Sequence, residues 1–183
     1  MVVVILSLWN FSPGFSTPLF YYLTSTIGLT PKAFGLYRAV FFAAKSVAPF
    51  LYVYLCTRVP VARILWWSVG LNIFTGLLFF LITGAQQALI VGAVVGALIG
   101  FGNVALFDLA RRACPLELAG TAIMLAFSGR AIASSLGDLF GAWLYQNHGL
   151  LSCIVVDGLT SALILPLLLR LPTGITGGSD TRA

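Results

Sequence analysis

Residues 88–107 read ALIVGAVVGALIGFGNVALF, twenty positions without a formal charge. At about 1.5 Å of rise per residue, a helix of that length matches the hydrocarbon core of a bilayer, about 30 Å thick. Gly92, Gly96, Gly100 and Gly102 provide a small-xxx-small spacing that lets a neighbouring helix approach closely, and Asn103 adds a polar group suited to an interhelical hydrogen bond. The stretch reads as a membrane-spanning helix packed inside a bundle.

Comparable apolar runs lie on either side, at residues 2–22, 34–55, 64–82, 118–145 and 151–169. Hydrophobic residues make up 60% of the chain, mean hydropathy is +1.03 and charged residues are only 8%, against about a quarter in soluble domains. The expectation is an all-α, polytopic membrane protein with six transmembrane helices in one domain over residues 1–171. The Gly-rich polar segment 172–183 reads as a disordered cytoplasmic tail. The first residues have no basic region and their apolar run outlasts that of a signal peptide, so the first span is expected to be retained.

The net charge of +5 is explained by topology. Arg58, Arg63, Arg111, Arg112, Arg170 and Arg182 fall on one side and Lys32 on the other. The positive-inside rule then makes both termini and the loops 56–63 and 108–117 cytoplasmic, in a cell membrane, with loops 24–33, 84–87 and 146–149 opposite. No basic patch interleaved with aromatics points to nucleic acid. Asp108, Arg111 and Arg112 read as topological anchors at a helix C-terminus.

Turn chemistry marks the short links, at Gly28 to Pro31, Arg58 to Pro60, Thr83-Gly84, Cys114-Pro115 and Asn147-His148-Gly149. Within the first run, Ser12-Pro13-Gly14 and then Pro18 predict a kink or unwound segment, because proline removes a backbone donor and clashes with the preceding turn. Cys56, Cys114 and Cys153 show no C-x-x-C spacing, and His148 has no partner ligand nearby. Neither a metal site nor a cofactor is expected, and the absence of P-loop, catalytic-triad and metalloprotease patterns argues against an enzyme.

Function is to be sought among the five charges inside the apolar runs: Arg38, Lys45, Arg130, Asp138 and Asp157. An ionisable group at bilayer depth costs about 3 kcal/mol on insertion scales, so such groups face a bundle interior or a solute path. Helical rise places Lys45 and Arg130 at about 17 and 22 Å below the outer surface, near the midplane, where two cations suit an anionic solute. Arg38, Asp157 and Asp138 come at about 6, 9 and 10 Å, so Arg38 is expected to pair with Asp138 or Asp157, either statically or as a gate. Arg130, Ser134, Asp138, Gly141 and Tyr145 share one helical face, which should line a cavity.

Residues 9–22, WNFSPGFSTPLFYY, resemble the N-F-S-P-G-F-x-T-P-L-x-Y-Y run in the seventh transmembrane helix of the folate/biopterin transporter family, within the major facilitator superfamily. Similar stretches follow at 35–38 (GLYR), 114–117 (CPLE) and 134–141 (SSLGDLFG), so the likeness spans about residues 9–169. It implies that the six helices form the C-terminal half of a twelve-helix facilitator, with the solute cavity between two halves. Val53, Thr57 and Pro60 stand where the superfamily's G-x-L-x-D-R-x-G loop has Gly, Asp and Gly, so the gating salt bridge of that loop is not expected.

The resulting expectation is secondary active transport of a small anionic organic solute, folate- or pterin-like by resemblance, through alternating access. Lys45, Arg130, Asn10 and Ser134 are the candidate solute-binding residues, and Arg38, Asp138 and Asp157 the candidate gating or proton-coupling residues. The partners expected are the solute, the lipid bilayer, and an N-terminal transporter half or a second copy of the chain. The rival readings are a non-transporting membrane assembly protein on the same scaffold and an inactive truncated fragment.

Overall fold

The computed structural model describes residues 2–11, 17–113 and 119–170. Every regular element in them is helical: α1 (Val2–Asn10), α2 (Thr17–Tyr21) continued by a π-helical turn (Tyr22–Thr26), α3 (Pro31–Cys56), α4 (Val61–Leu78) continued by a 3-10 turn (Phe79–Leu81), α5 (Ala85–Ala113) and α6 (Ala119–Leu169). The break expected at Ser12-Pro13-Gly14, the link at Cys114-Pro115 and the tail 172–183 lie outside the described residues.

Local chemistry sets the helix starts. Thr30 caps α3, its hydroxyl accepting from the Ala33 N–H at 3.3 Å, and Pro31 follows where a missing donor is harmless. Before α5 the Gln87 side chain reaches back to accept from the Thr83 N–H at 2.9 Å, so the helix begins at Ala85 and takes up most of the expected 84–87 loop.

The 51 residues of α6 do not form one rod. Gly149 has φ 76° and ψ −178°, and the Cys153 thiol reaches back to the Gly141 carbonyl at 3.6 Å. Twelve residues of straight helix would hold those groups about 18 Å apart. The chain therefore folds back at the expected Asn147-His148-Gly149 turn into two packed arms.

Four helices among the described residues are long and apolar enough to cross a membrane: Pro31–Cys56, Val61–Leu81, Ala85–Ala113 and the folded-back Met124–Leu169. Their outward faces are apolar, with Phe50, Trp67, Phe74, Leu139 and Trp143 among the exposed large side chains. Such a surface suits lipid, and it agrees with a protein of the membrane.

The glycines of α5 set its register against its neighbours. A Cβ at Gly92 would lie 2.6 Å from the Tyr37 ring, and one at Gly96 would strike the Phe41 carbonyl oxygen. Gly100 meets the Lys45 backbone in the same way, while Gly102 takes the edge of the Trp9 indole. These contacts pack α3 directly on the α5 backbone, as the small-residue spacing predicts.

Buried apolar side chains form two layers. One gathers Ile5, Leu6, Trp9, Tyr52, Leu65, Leu106 and Ile164; the other gathers Leu19, Leu23, Tyr37, Phe79, Val91 and Val95. The section between them, bounded on α3 by Tyr37 and Tyr52 and on α5 by Val95 and Ala105, holds the polar groups described next.

Candidate solute cavity

Between the two apolar layers lies a cavity of about 280 Å³. Trp9 and Asn10 of α1, Arg38, Phe41, Phe42 and Lys45 of α3, Asn72 of α4, Ile99 and Asn103 of α5, and Arg130, Ser134 and Asp138 of α6 line it. Six of the seven residues singled out from the sequence therefore meet in one place. Asp157 does not line the cavity: it is buried at 4% exposure on the second arm of α6, one helical turn from Ser161.

Spacings of four and three put Arg38, Phe42 and Lys45 on one face of α3. The Arg38 guanidinium carbon lies 5.0 Å and the Lys45 ammonium 6.0 Å from the centroid of the Phe42 ring. From α6, the Arg130 guanidinium carbon sits 5.3 Å from the Phe107 ring, which stacks on Phe127 at 5.0 Å. Each cation thus rests on an aromatic face, which offsets part of its desolvation.

Helical rise alone sorts Arg38 and Asp138 into an outer group apart from Lys45 and Arg130, yet all four share the cavity. The reason is side-chain reach: Arg38 and Lys45 both lean toward Phe42 and close an axial gap of about 10 Å. Three cations against one carboxylate leave a formal excess of two positive charges in the lining (3 − 1 = 2). Asp138 and Asp157 both take part in interactions within the chain.

The uncharged polar groups are held by directed hydrogen bonds. Trp9 Nε1 donates to Asn103 Oδ1 at 2.9 Å, Asn10 Nδ2 donates to the Leu6 carbonyl at 2.7 Å, and Asn72 Nδ2 donates to Ser161 Oγ at 3.1 Å. Asn103 is an interhelical partner, as its position on an apolar helix suggests. Trp9, Phe42 and Asn72 were not singled out from the sequence. Asn72 carried a signal, since a lone amide in an apolar helix needs a partner; the two aromatics carried none, because aromatic residues are frequent throughout the chain.

A second cavity of about 470 Å³, lined by Tyr52, Cys56, Phe107, Asp108, Arg111 and Phe127 among others, lies toward the other end of α3 and α5. Phe107 borders it and carries Arg130 of the first cavity, so this ring and its cation lie between the two. At its rim Asp108 accepts from the Tyr52 hydroxyl at 2.8 Å, Arg112 Nε at 2.9 Å and Arg111 at 3.0 Å. The cluster read as topological anchoring therefore also ties α5 to α3.

The described residues thus form a helical bundle with an apolar outer surface and a cavity lined by three cations and one carboxylate. Over 91% of its length the chain is 30% identical to a protein of Synechocystis sp. described as "Folate-biopterin transporter". The resemblance drawn from residues 9–22 is thus borne out, and the chain spans 37% of that relative's length. No family model matches the chain. No solved structure matches it either.

Proposed function

We propose that the chain acts as the C-terminal half of a twelve-helix facilitator and moves a small organic anion, of folate or pterin type, by alternating access. The observation that carries this reading is the gathering of Arg38, Lys45 and Arg130 with a single carboxylate around one cavity. Three cations in a low-dielectric site repel one another, and a bound anion relieves that cost. In this reading α1 with α2 forms the first span, α3, α4 and α5 the next three, and the two arms of α6 the last two. The arginine-rich ends face the cytoplasm.

Lys45 and Arg130 contact the anionic groups of the solute, Asn10 and Ser134 complete the polar lining, and Asp138 with Arg38 serves gating or proton coupling. An N-terminal half or a second copy closes the open side of the cavity. The likeness of residues 9–22 to a seventh transmembrane helix supports the assignment to the C-terminal half.

The test is ligand-dependent thermal stabilisation of the purified chain in lipid nanodiscs, with folic acid as probe, since a ligand that binds only the folded state raises its stability by mass action. Folic acid should raise the Tm of the wild type, and Lys45→Ala and Arg130→Ala should each weaken binding about tenfold or more while still inserting. Wild-type binding in both variants would remove the anion site; no stabilisation of the wild type by any organic anion would favour a non-transporting protein.

A further inference from the structure

Resting on that reading and extending it, we infer that Asn103 determines solute specificity by donating its amide N–H groups to a neutral carbonyl oxygen of the solute, with Trp9 as the positioning residue. An indole N–H can only donate, so the Asn103 atom it meets at 2.9 Å is Oδ1. That bond settles which way the amide faces, leaving Nδ2 as the donor side. Asn103 lines the cavity at 9% exposure, and no acceptor among the described residues takes its Nδ2 hydrogens.

Trp9 is itself locked in place. It is 8% exposed, packs among Ile5, Leu6 and Leu106, and lies so close to Gly102 that a Cβ there would come 2.6 Å from Cζ2 of its ring. The indole cannot turn away, and the amide it holds cannot flip without losing its hydrogen bond. This oriented, uncharged donor on α5 lines the same cavity as the cations on α3 and α6. The arrangement sorts the groups of a solute: carboxylates go to the cations, and a carbonyl goes to the amide, where it needs no counter-charge.

A site built to hydrogen-bond one group strongly rejects an analogue that cannot make that bond. Folic acid and aminopterin differ by a ring carbonyl in the first and an amino group in the second, so their affinity ratio reads the donor directly. Binding of both to the chain in nanodiscs should show the wild type preferring folic acid by about tenfold or more. Asn103→Asp, which still accepts from Trp9 but presents an acceptor to the cavity, should erase or reverse the preference. Trp9→Phe, which keeps a ring but removes the N–H, should narrow it by freeing the amide to turn over.

Each comparison is a ratio on one protein preparation, so a smaller folded fraction cancels, and if Trp9→Phe fails to fold Asn103→Asp decides alone. An unchanged ratio in Asn103→Asp, or equal affinities in the wild type, overturns the role of Asn103 and leaves the anion site standing. Failure of the wild type to bind either probe overturns both readings.

Discussion

The Tyr52 hydroxyl on α3 donates a 2.8 Å hydrogen bond to Asp108 on α5, the same carboxylate oxygen that accepts from Arg112. Tyr52→Phe keeps the ring that packs edge-on to Phe101 and removes only this bond. A hydrogen bond to a charged group contributes about 1.5–3 kcal/mol, so Tm should fall by roughly 4 °C or more. Calorimetry in detergent measures it, and an unchanged Tm would show that the arginines alone satisfy Asp108.

Close approach of α3 to α5 gives a second expectation. Gly96→Ala puts a methyl group against the Phe41 carbonyl, which as backbone cannot yield, and should destabilise the bundle by about 1–3 kcal/mol. Gly70→Ala on α4 meets nothing within 4 Å and should be neutral or slightly stabilising. Paired thermal melts check the contrast; equal behaviour of the two would mean that α3 does not pack on α5 in this register.

The turn in α6 depends on a backbone conformation open only to glycine. At φ 76° and ψ −178°, Gly149→Ala should cost about 1–3 kcal/mol although nothing lies within 4 Å of the added carbon. Gly158→Ala, in the helical second arm and also free of contacts, is the matched control and should be tolerated. A loss confined to Gly149→Ala in urea or thermal unfolding separates backbone strain from crowding.

Arg38 and Asp138 line the same cavity from different helices. If Asp138 couples transport to protons, Asp138→Asn should flatten the dependence of solute uptake on pH in proteoliposomes; the same pH profile in the variant would sink that role. If Arg38 pairs with Asp138, the exchange of Arg38→Asp with Asp138→Arg should recover stability lost in each single variant, because the pair would be restored in reverse. Additive losses would show that the two charges do not interact.

Much of the fold was legible from composition and local spacing. Runs of about 20 apolar residues located the helices, and the Gly92, Gly96 and Gly100 series announced a close helix contact, which the structure makes with α3; the Thr30-Pro31 cap starts α3 at Pro31, three residues before the apolar run that marked it. The face Arg130, Ser134 and Asp138 was equally readable, since helical period alone puts those three together and all three line the cavity. Depth along a helix was a weaker guide. It separated Arg38 from Lys45 because rise counts backbone positions, whereas side chains of that length lean several residues along the axis toward a shared ring.

The sequence by itself determined the class of protein: hydrophobicity at this level cannot remain in water, and charges this rare in apolar runs must turn inward. Only the tertiary structure decided which of those charges meet. Helical period assigns a residue to a face but says nothing of which neighbouring helix that face meets, or at what height. Contacts such as Gly100 on the Lys45 backbone and Gly102 on the Trp9 ring set those relations, bringing Arg38, Lys45, Arg130 and Asp138 to one cavity, turning Asn103 by its bond to Trp9, and leaving Asp157 outside.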